Sequence, residues 1–358
     1  KKVGERRYWE TWAKDIAEIA KQHITRINGL LSDPQSVPSQ EFDAFLAGLR
    51  GNLNDGIGRD EAIEMLAQHL ITRPVFEALF AGYDFAKSNP VAQTMERMLA
   101  VLDEHSLEDE NESLQHFYAS VRARVEGVDN AEGRQKIIVE LYDKFFATAF
   151  KKTVDKLGIV YTPVEIVDFI LRSADEVLHE HFGQRLTDEG VHILDGFTGT
   201  GTFMTRLLQL GLIEPHDLAR KYANELHANE ILLLAYYIAA VNIETTYQDV
   251  LRGGLDEGAA EYAPFPGLVL TDTFQSYEDG DDDDLGVFPE NNERINRQRQ
   301  LPITVIVGNP PYSSGQDSAN DNNANLKYPT LDKRIAETYA AKSTAQLKNS
   351  LYDSYLRA

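Results

Sequence analysis

Two short stretches end an apolar run on residues able to do chemistry. In ITVIVGNPPYSS, residues 303–314, a β-branched run stops at Gly308, Asn309, Pro310, Pro311 and Tyr312. The prolines fix the backbone and remove N–H donors, so the loop offers acceptors: the Asn309 side-chain carbonyl and the Pro310 backbone carbonyl. An acceptor pair suits a group with two N–H donors, such as the exocyclic amine of a base. That amine is a poor nucleophile because its lone pair is delocalised into the ring. Holding both hydrogens favours a pyramidal nitrogen, and fixed geometry supplies much of the remaining rate. Pro311 would keep the loop rigid, and Tyr312 would stack on a base flipped from its duplex.

The second stretch is VHILDGFTGTGTF, residues 191–203, in which a strand reaches Asp195 and enters a loop with Gly196, Gly199 and Gly201 before an amphipathic helix. Ligands of open α/β sheets bind at such carboxyl ends, and glycines allow close approach. A phosphate-binding P-loop requires Lys and Ser/Thr after the glycines, and Thr202 and Phe203 stand there instead. A dinucleotide fingerprint requires a glycine at 204, which is Met. The pattern Asp-x-x-x-Gly-x-Gly resembles the first motif of S-adenosylmethionine-dependent methyltransferases. The resemblance implies that Asp195, Phe197, Thr198, Gly199, Thr200 and Gly201 wrap the methionine and ribose portions of that cofactor. Glu225 is expected to close the second strand and accept from the ribose hydroxyls, and Asp272 to close the third and accept from the adenine amine. Each acid has an alternative as a helix cap or turn residue. Tyr161 and Thr162, in a Tyr-Thr-Pro segment, resemble the methyltransferase loop that covers the methionine end. Thr162 to Glu165 also reads as a capping box with Pro163 at the first helical position.

Asn-Pro-Pro-aromatic after an apolar strand resembles the catalytic motif of amino-group methyltransferases, with Asn309 also bordering the cofactor. Cytosine C5 methylation needs a cysteine nucleophile, and the chain has no cysteine. Cytosine N4 enzymes more often carry serine at the Asn309 position, so the resemblance implies adenine N6. Three longer segments, ELYDKFFATAFKKTVDKLGIVYTPVEIVDF, ANELHANEILLLAYYIAA and NANLKYPTLDKRIAETYAAKSTAQLKNSLYDSYLRA, resemble single-polypeptide relatives of type I restriction-modification enzymes, the type ISP group. That resemblance implies a coupler domain over residues 1–156, an adenine methyltransferase domain over 157–358 that is incomplete at its C-terminus, and duplex DNA as partner. Nuclease, helicase-like and target-recognition domains would belong to the parent polypeptide. No P-loop, motor motif or nuclease carboxylate-lysine pattern is present here.

These residues need a scaffold. From Glu5 to about Lys156 apolar residues recur three or four apart, as in Trp9, Trp12, Ile16, Ile19, Ile24, Ile27 and Leu31, and again through Ile137 to Val154, which predicts helices with one buried face. Asn89-Pro90 marks another helix start, followed by Met95, Met98, Leu99 and Leu102. After Gly158 strands alternate with helices, the pattern of a parallel α/β sheet. Strands are expected at 191–195, 220–225, 268–271 and 303–307, and helices at 202–210 and 228–241. The stretch from Thr273 to Pro302 separates the last two strands, and its acidic run reads as a solvated loop. The terminal NSLYDSYLRA, with Leu351 and Tyr355 on one face together with the preceding Leu347, reads as an amphipathic helix, which the resemblance implies lies beside the cofactor pocket. The fold class is therefore α/β, a Rossmann-like methyltransferase sheet, truncated at its C-terminus and preceded by an all-α domain.

At 358 residues the chain is long enough for two domains. Its net charge of −22 opposes broad, non-specific attraction to nucleic acid, so DNA contact must be local or lie in other parts of a longer protein. With neither a signal peptide nor a long apolar segment, a cytoplasmic protein with no membrane partner is expected; no metal site is expected. Two other functions fit parts of the pattern. NPPY also resembles enzymes that methylate the glutamine side-chain amide of translation factors, and the α/β part could instead be a non-catalytic coupling scaffold.

Overall fold

The protein is described here from a computed structural model, which defines residues 6–79, 85–102, 119, 162–254, 262–275, 278, 286–310, 328–342 and 357. The chain forms two compact units, one of residues 1–50, 57–154 and 284–290, the other of 51–56, 155–283 and 291–358. Among the described residues the first unit is helical: α1 (Arg6–Leu30), most of α2 (Val37–Asn52), α3 (Arg59–Leu79), α4 (Phe85–Ser88) and α5 (Pro90–Val101). Ile19, Ile27 and Leu31 of the expected stripe are buried, as are Met95, Met98, Leu99 and Leu102. The Asn89 side chain accepts from the Val91 and Ala92 amides with Pro90 at the first helical position, so α5 starts as its sequence predicts. His69 and Arg73 of α3 share Glu96 of α5, and these partners hold its carboxylate down at about 2 against the opposing effect of burial. The stripe through Ile137 to Val154 and, apart from Arg357, the terminal NSLYDSYLRA lie outside the described residues.

The second unit is built on α6 (Val164–Phe182), β1 (His192–Asp195), α7 (Thr202–Gln209), β2 (Leu226–Glu230), α8 (Leu233–Gly254), β3 (Leu268–Leu270), most of α9 (Pro289–Arg299), β4 (Ile303–Val307) and α10 (Pro329–Glu337). All strand pairs are parallel, in the order β3-β2-β1-β4. Three strands agree with their sequence expectation to within a residue at each end. The second does not: it runs over Leu226–Glu230 instead of 220–225, and α8 starts at Leu233 instead of 228. Every side chain of β2 is buried although three of its five residues, His227, Asn229 and Glu230, are polar. Its polarity is satisfied by partners distant in sequence. His227 lies 3.0 Å from the His192 ring nitrogen, and Asn229 accepts from Gln298 of α9 at 2.8 Å. A second difference is α9, a helix for which the stretch between the last two strands carried no expectation; its Asn291 bonds both the N–H and C=O of Leu270 on β3. The acidic run 281–284 lies outside the described residues. The α6 terminus is the third: Pro163 is the residue flanking the helix, no side chain caps it, and its carbonyl accepts from Ile166 and Val167.

Candidate functional site

Strand order reverses between β1 and β4: the chain adds β2 and β3 on one side of β1, then β4 on the other. Open α/β sheets bind ligands beyond the carboxyl ends of their strands at this switch point. Asp195 pairs in register with Val307, so Gly308, Asn309 and Pro310 leave the sheet beside the Asp195 carboxylate. A Cβ on Gly308 would sit 2.9 Å from Asp195 Oδ1, so only glycine admits the approach without displacing the acid. The two sequence motifs meet at this edge.

Asp195 is fully buried. Its Oδ1 accepts from the Phe197 amide at 3.1 Å, while its buried Oδ2 has no hydrogen-bond partner. Burial pushes its carboxyl up to about 7 against the pull of the Phe197 amide, and the nearby Glu230 carboxylate adds to the rise. An orphaned carboxylate oxygen at a ligand-binding edge is the chemistry expected of a site that takes a cation or a hydrogen-bond donor.

The loop after β1 is tied down residue by residue. Thr198 Oγ1 donates to the Asp195 carbonyl at 3.0 Å, and the Thr198 amide donates to the Asn229 carbonyl. Asn242 of α8 donates to the Thr200 carbonyl at 2.9 Å. Gly201 sits at φ 87°, where a Cβ would also press on Ala239 and Ile243, so the loop passes close over α8. The Gly199 amide donates to Glu230 Oε2 at 2.7 Å, and the Leu232 amide donates to Glu230 Oε1 at the same distance. Glu230 is buried and pushed up to about 7 by burial, against those amide donors.

Glu225, expected to close the second strand, stands at its opposite end. It belongs to a π-helical turn, Lys221–Glu225, preceding β2. There it pairs with Arg220 and with the fully buried Lys221, at 2.9 Å, and accepts from the Gly190 amide at 2.9 Å. Burial opposes its ionisation, but the Gly190 amide and the two cations prevail and hold it below the usual carboxylate range. Glu225 is therefore a latch under the amino-terminal edge of the sheet. The acid at the carboxyl end of β2 is Glu230.

Asp272 lies just beyond β3 and is buried. Its Oδ2 accepts from Asn54 Nδ2 at 2.8 Å and from the Tyr328 hydroxyl at 2.7 Å, and its Oδ1 accepts from the Phe274 amide at 2.9 Å. Phe274 packs between Phe197 and Tyr328, with ring centroids 5.4 and 5.5 Å apart. Thr162 precedes α6, whereas Tyr161, Pro311 and Tyr312 lie outside the described residues. Asn309 and Pro310 are half-buried at the end of β4. No group of three or more potential metal ligands occurs among the described residues.

Residues 8–133 match the family model described as the coupler domain of the Type ISP restriction-modification enzyme. A structure described as the ATP-dependent Type ISP restriction-modification enzyme LlaBIII bound to DNA aligns with a TM-score of 0.88 at 49% identity, over 100% of this chain and 24% of that one. The chain is a Type ISP relative that carries the coupler domain. A nuclease-deletion mutant of the Type ISP enzyme LlaGI, in complex with a DNA substrate mimic, aligns with a TM-score of 0.87 at 50% identity, over 99% of this chain and 28% of that one. The DrdV–DNA complex aligns with a TM-score of 0.83 at 33% identity, over 98% and 33%. The chain thus spans about a quarter to a third of the length of these Type ISP and related structures. No curated protein matches it.

Three residues that the motifs alone do not single out join this candidate site. Glu230 lies within ANELHANE and was legible as an acid followed by an apolar helix. Tyr328 and Asn54 carry no local signal, because only the fold brings them to Asp272. Asn54 falls within the stretch matched by the coupler model, yet residues 51–56 belong to the same compact unit as the sheet.

Proposed function

We propose that the α/β unit is the adenine-N6 DNA methyltransferase part of a Type ISP restriction-modification enzyme, using S-adenosylmethionine. The observation that carries this reading is the meeting of Asp195, with its orphaned buried oxygen, and the Gly308-Asn309-Pro310 turn at the switch point of a parallel sheet. The residues present fit the cofactor. Asp195 and the loop from Phe197 to Gly201 would hold its methionine and ribose portions together with Thr162 and Tyr161. Glu230, in place of Glu225, would accept from the ribose hydroxyls, and Asp272 from the adenine amine. The cofactor supplies an electrophilic methyl group when bound.

The chain's own groups would do the rest. Asn309 Oδ1 and the Pro310 carbonyl would accept the two amine hydrogens and orient the nitrogen lone pair towards the methyl group to be transferred, with Pro311 holding the turn and Tyr312 stacked on the flipped base. Duplex DNA is the substrate this reading requires, in line with the DNA bound in the related structures. The coupler match supports a second role, in which the helical unit links this site to nuclease, helicase-like and target-recognition domains of the parent polypeptide.

Incubation of the parent enzyme with methyl-labelled cofactor and either duplex DNA or a glutamine-bearing translation factor tests the reading. Label in DNA adenine is expected; label in protein alone would replace it with amide methylation. Calorimetry that finds no cofactor binding would leave a non-catalytic coupling scaffold. Asn309→Ala is expected to lower transfer on the order of a hundredfold or more while cofactor affinity stays close to wild type.

A further inference from the structure

Asp272 would be an unusual acceptor if left to itself. It is buried, and a buried carboxylate without fixed donors reorients or takes up a proton. Burial does raise its carboxyl above the ordinary value, and two side chains distant in sequence oppose this together with the Phe274 amide. Asn54, from the turn between α2 and α3, and Tyr328, from the residue preceding α10, both donate to the same oxygen, Oδ2. Neither donor is loosely held. Asn54 Oδ1 accepts from the Gly56 amide at 3.1 Å, which turns its amide nitrogen towards Asp272. The Tyr328 ring is 3% exposed, packs on Phe274, and lies beneath the guanidinium of Arg357 at 4.8 Å, which itself pairs with Asp332 of α10. Phe274 in turn packs on Phe197 of the loop after β1, so the clamp and the cofactor loop share one aromatic row.

We propose that Asn54 and Tyr328 are positioning residues for the adenine end of the cofactor, clamping the Asp272 carboxylate in the orientation that accepts from the adenine 6-amino group. This rests on the reading of Asp272 given above. It assigns to the 51–56 turn a part in cofactor selection. By reciprocity, ligand binding at Asp272 must also stabilise that turn.

The test is a cycle on one functional group of the ligand. The whole chain is titrated calorimetrically with S-adenosylhomocysteine and with S-inosylhomocysteine, in which an oxo group replaces the 6-amino donor. Wild type is expected to favour the adenosyl ligand on the order of tenfold or more, as for a hydrogen bond to a charged acceptor. Tyr328→Phe keeps the ring and removes only the hydroxyl; it and Asn54→Ala are expected to cut that preference several-fold, mainly by weakening the adenosyl ligand. Asn54→Asp is isosteric and sets an oxygen against Oδ2, so it is expected to cut it furthest. Equal weakening of both ligands, with the ratio kept, would make the two residues structural and overturn the inference while the cofactor reading stands. Wild type binding both ligands equally would remove Asp272 from the adenine site, and binding neither would sink cofactor reading and inference together. Hydrogen exchange supplies an independent arm: the adenosyl ligand is expected to slow exchange of the Gly56 amide, and unchanged exchange would contradict the coupling.

Discussion

Asp195 carries a negative charge that the fold does not fully compensate, since Oδ2 is buried without a donor and Glu230 lies near. Its carboxyl is pushed up to about 7, from an ordinary value of about 3.9. The folded protein therefore binds more protons than the unfolded chain between those values. This contribution to stability is fully present below about pH 4 and is lost as pH rises through about 7. Asp195→Asn removes the charge at constant size. It is expected to raise the stability of the ligand-free protein at pH 8 by on the order of 1–2 kcal/mol and to flatten the pH dependence, while cofactor affinity falls. Thermal melts against pH combined with calorimetry check this; a destabilised variant, or one that binds cofactor normally, would contradict the assignment. The acids at the two ends of β2, Glu225 just before it and Glu230 closing it, separate in the same way. Glu225→Gln leaves Lys221 buried without its carboxylate and is expected to cost about 3 kcal/mol of stability with cofactor affinity unchanged, whereas Glu230→Gln is expected to weaken cofactor binding. Sequence reasoning placed the role on Glu225 because it set the second strand at 220–225; only the pairing of Ala228 with Asp195 fixes which acid faces the ligand edge.

At the scale of elements, legibility followed apolar content. β3 is Leu-Val-Leu, β4 is β-branched throughout and β1 centres on Ile193 and Leu194, and their bounds were visible to within a residue at each end. β2 reads LHANE, whose burial is bought by partners on α9, β1 and the loop before α7, so no local pattern announces it. For the same reason α9, a strongly polar helix, has no apolar stripe to announce it, although it supplies Asn291 and Gln298 to buried positions. The helix start at Asn89 was legible because its cap is local; that of α6 was misread because Pro163 flanks the helix and leaves Thr162 outside it. The junction of β1 and β4 rests on Gly308. Gly308→Ala places a methyl 2.9 Å from Asp195 Oδ1, and overpacking of that kind costs about 1–3 kcal/mol. Denaturant unfolding should show this loss, accompanied by weaker cofactor binding because the displaced group is Asp195. Asp195→Gly in the Gly308→Ala background is expected to recover much of the stability but none of the affinity; no recovery would place the strain elsewhere.

For the whole molecule, composition and architecture lead to separate consequences. A net charge of −22 sets the summed field against phosphate, so this chain alone is expected to show little non-specific affinity for duplex DNA at physiological salt. Among the described residues, no helix is long and apolar enough to cross a membrane. The division into a helical and an α/β unit makes a sharper demand on unfolding. If each unit is its own cooperative block, calorimetry of the ligand-free chain resolves two transitions. S-adenosylhomocysteine at about a hundred times its Kd adds about 2.7 kcal/mol to whatever unfolds with the site. For a block of this size that is a rise of roughly 5–11 °C, carried by one transition while the other stays in place. Asp195→Asn identifies the responsive transition independently, because it should move the same one in the absence of ligand. A single transition that shifts as a whole would mean that the two units unfold together, and cofactor binding would then be felt throughout the helical unit.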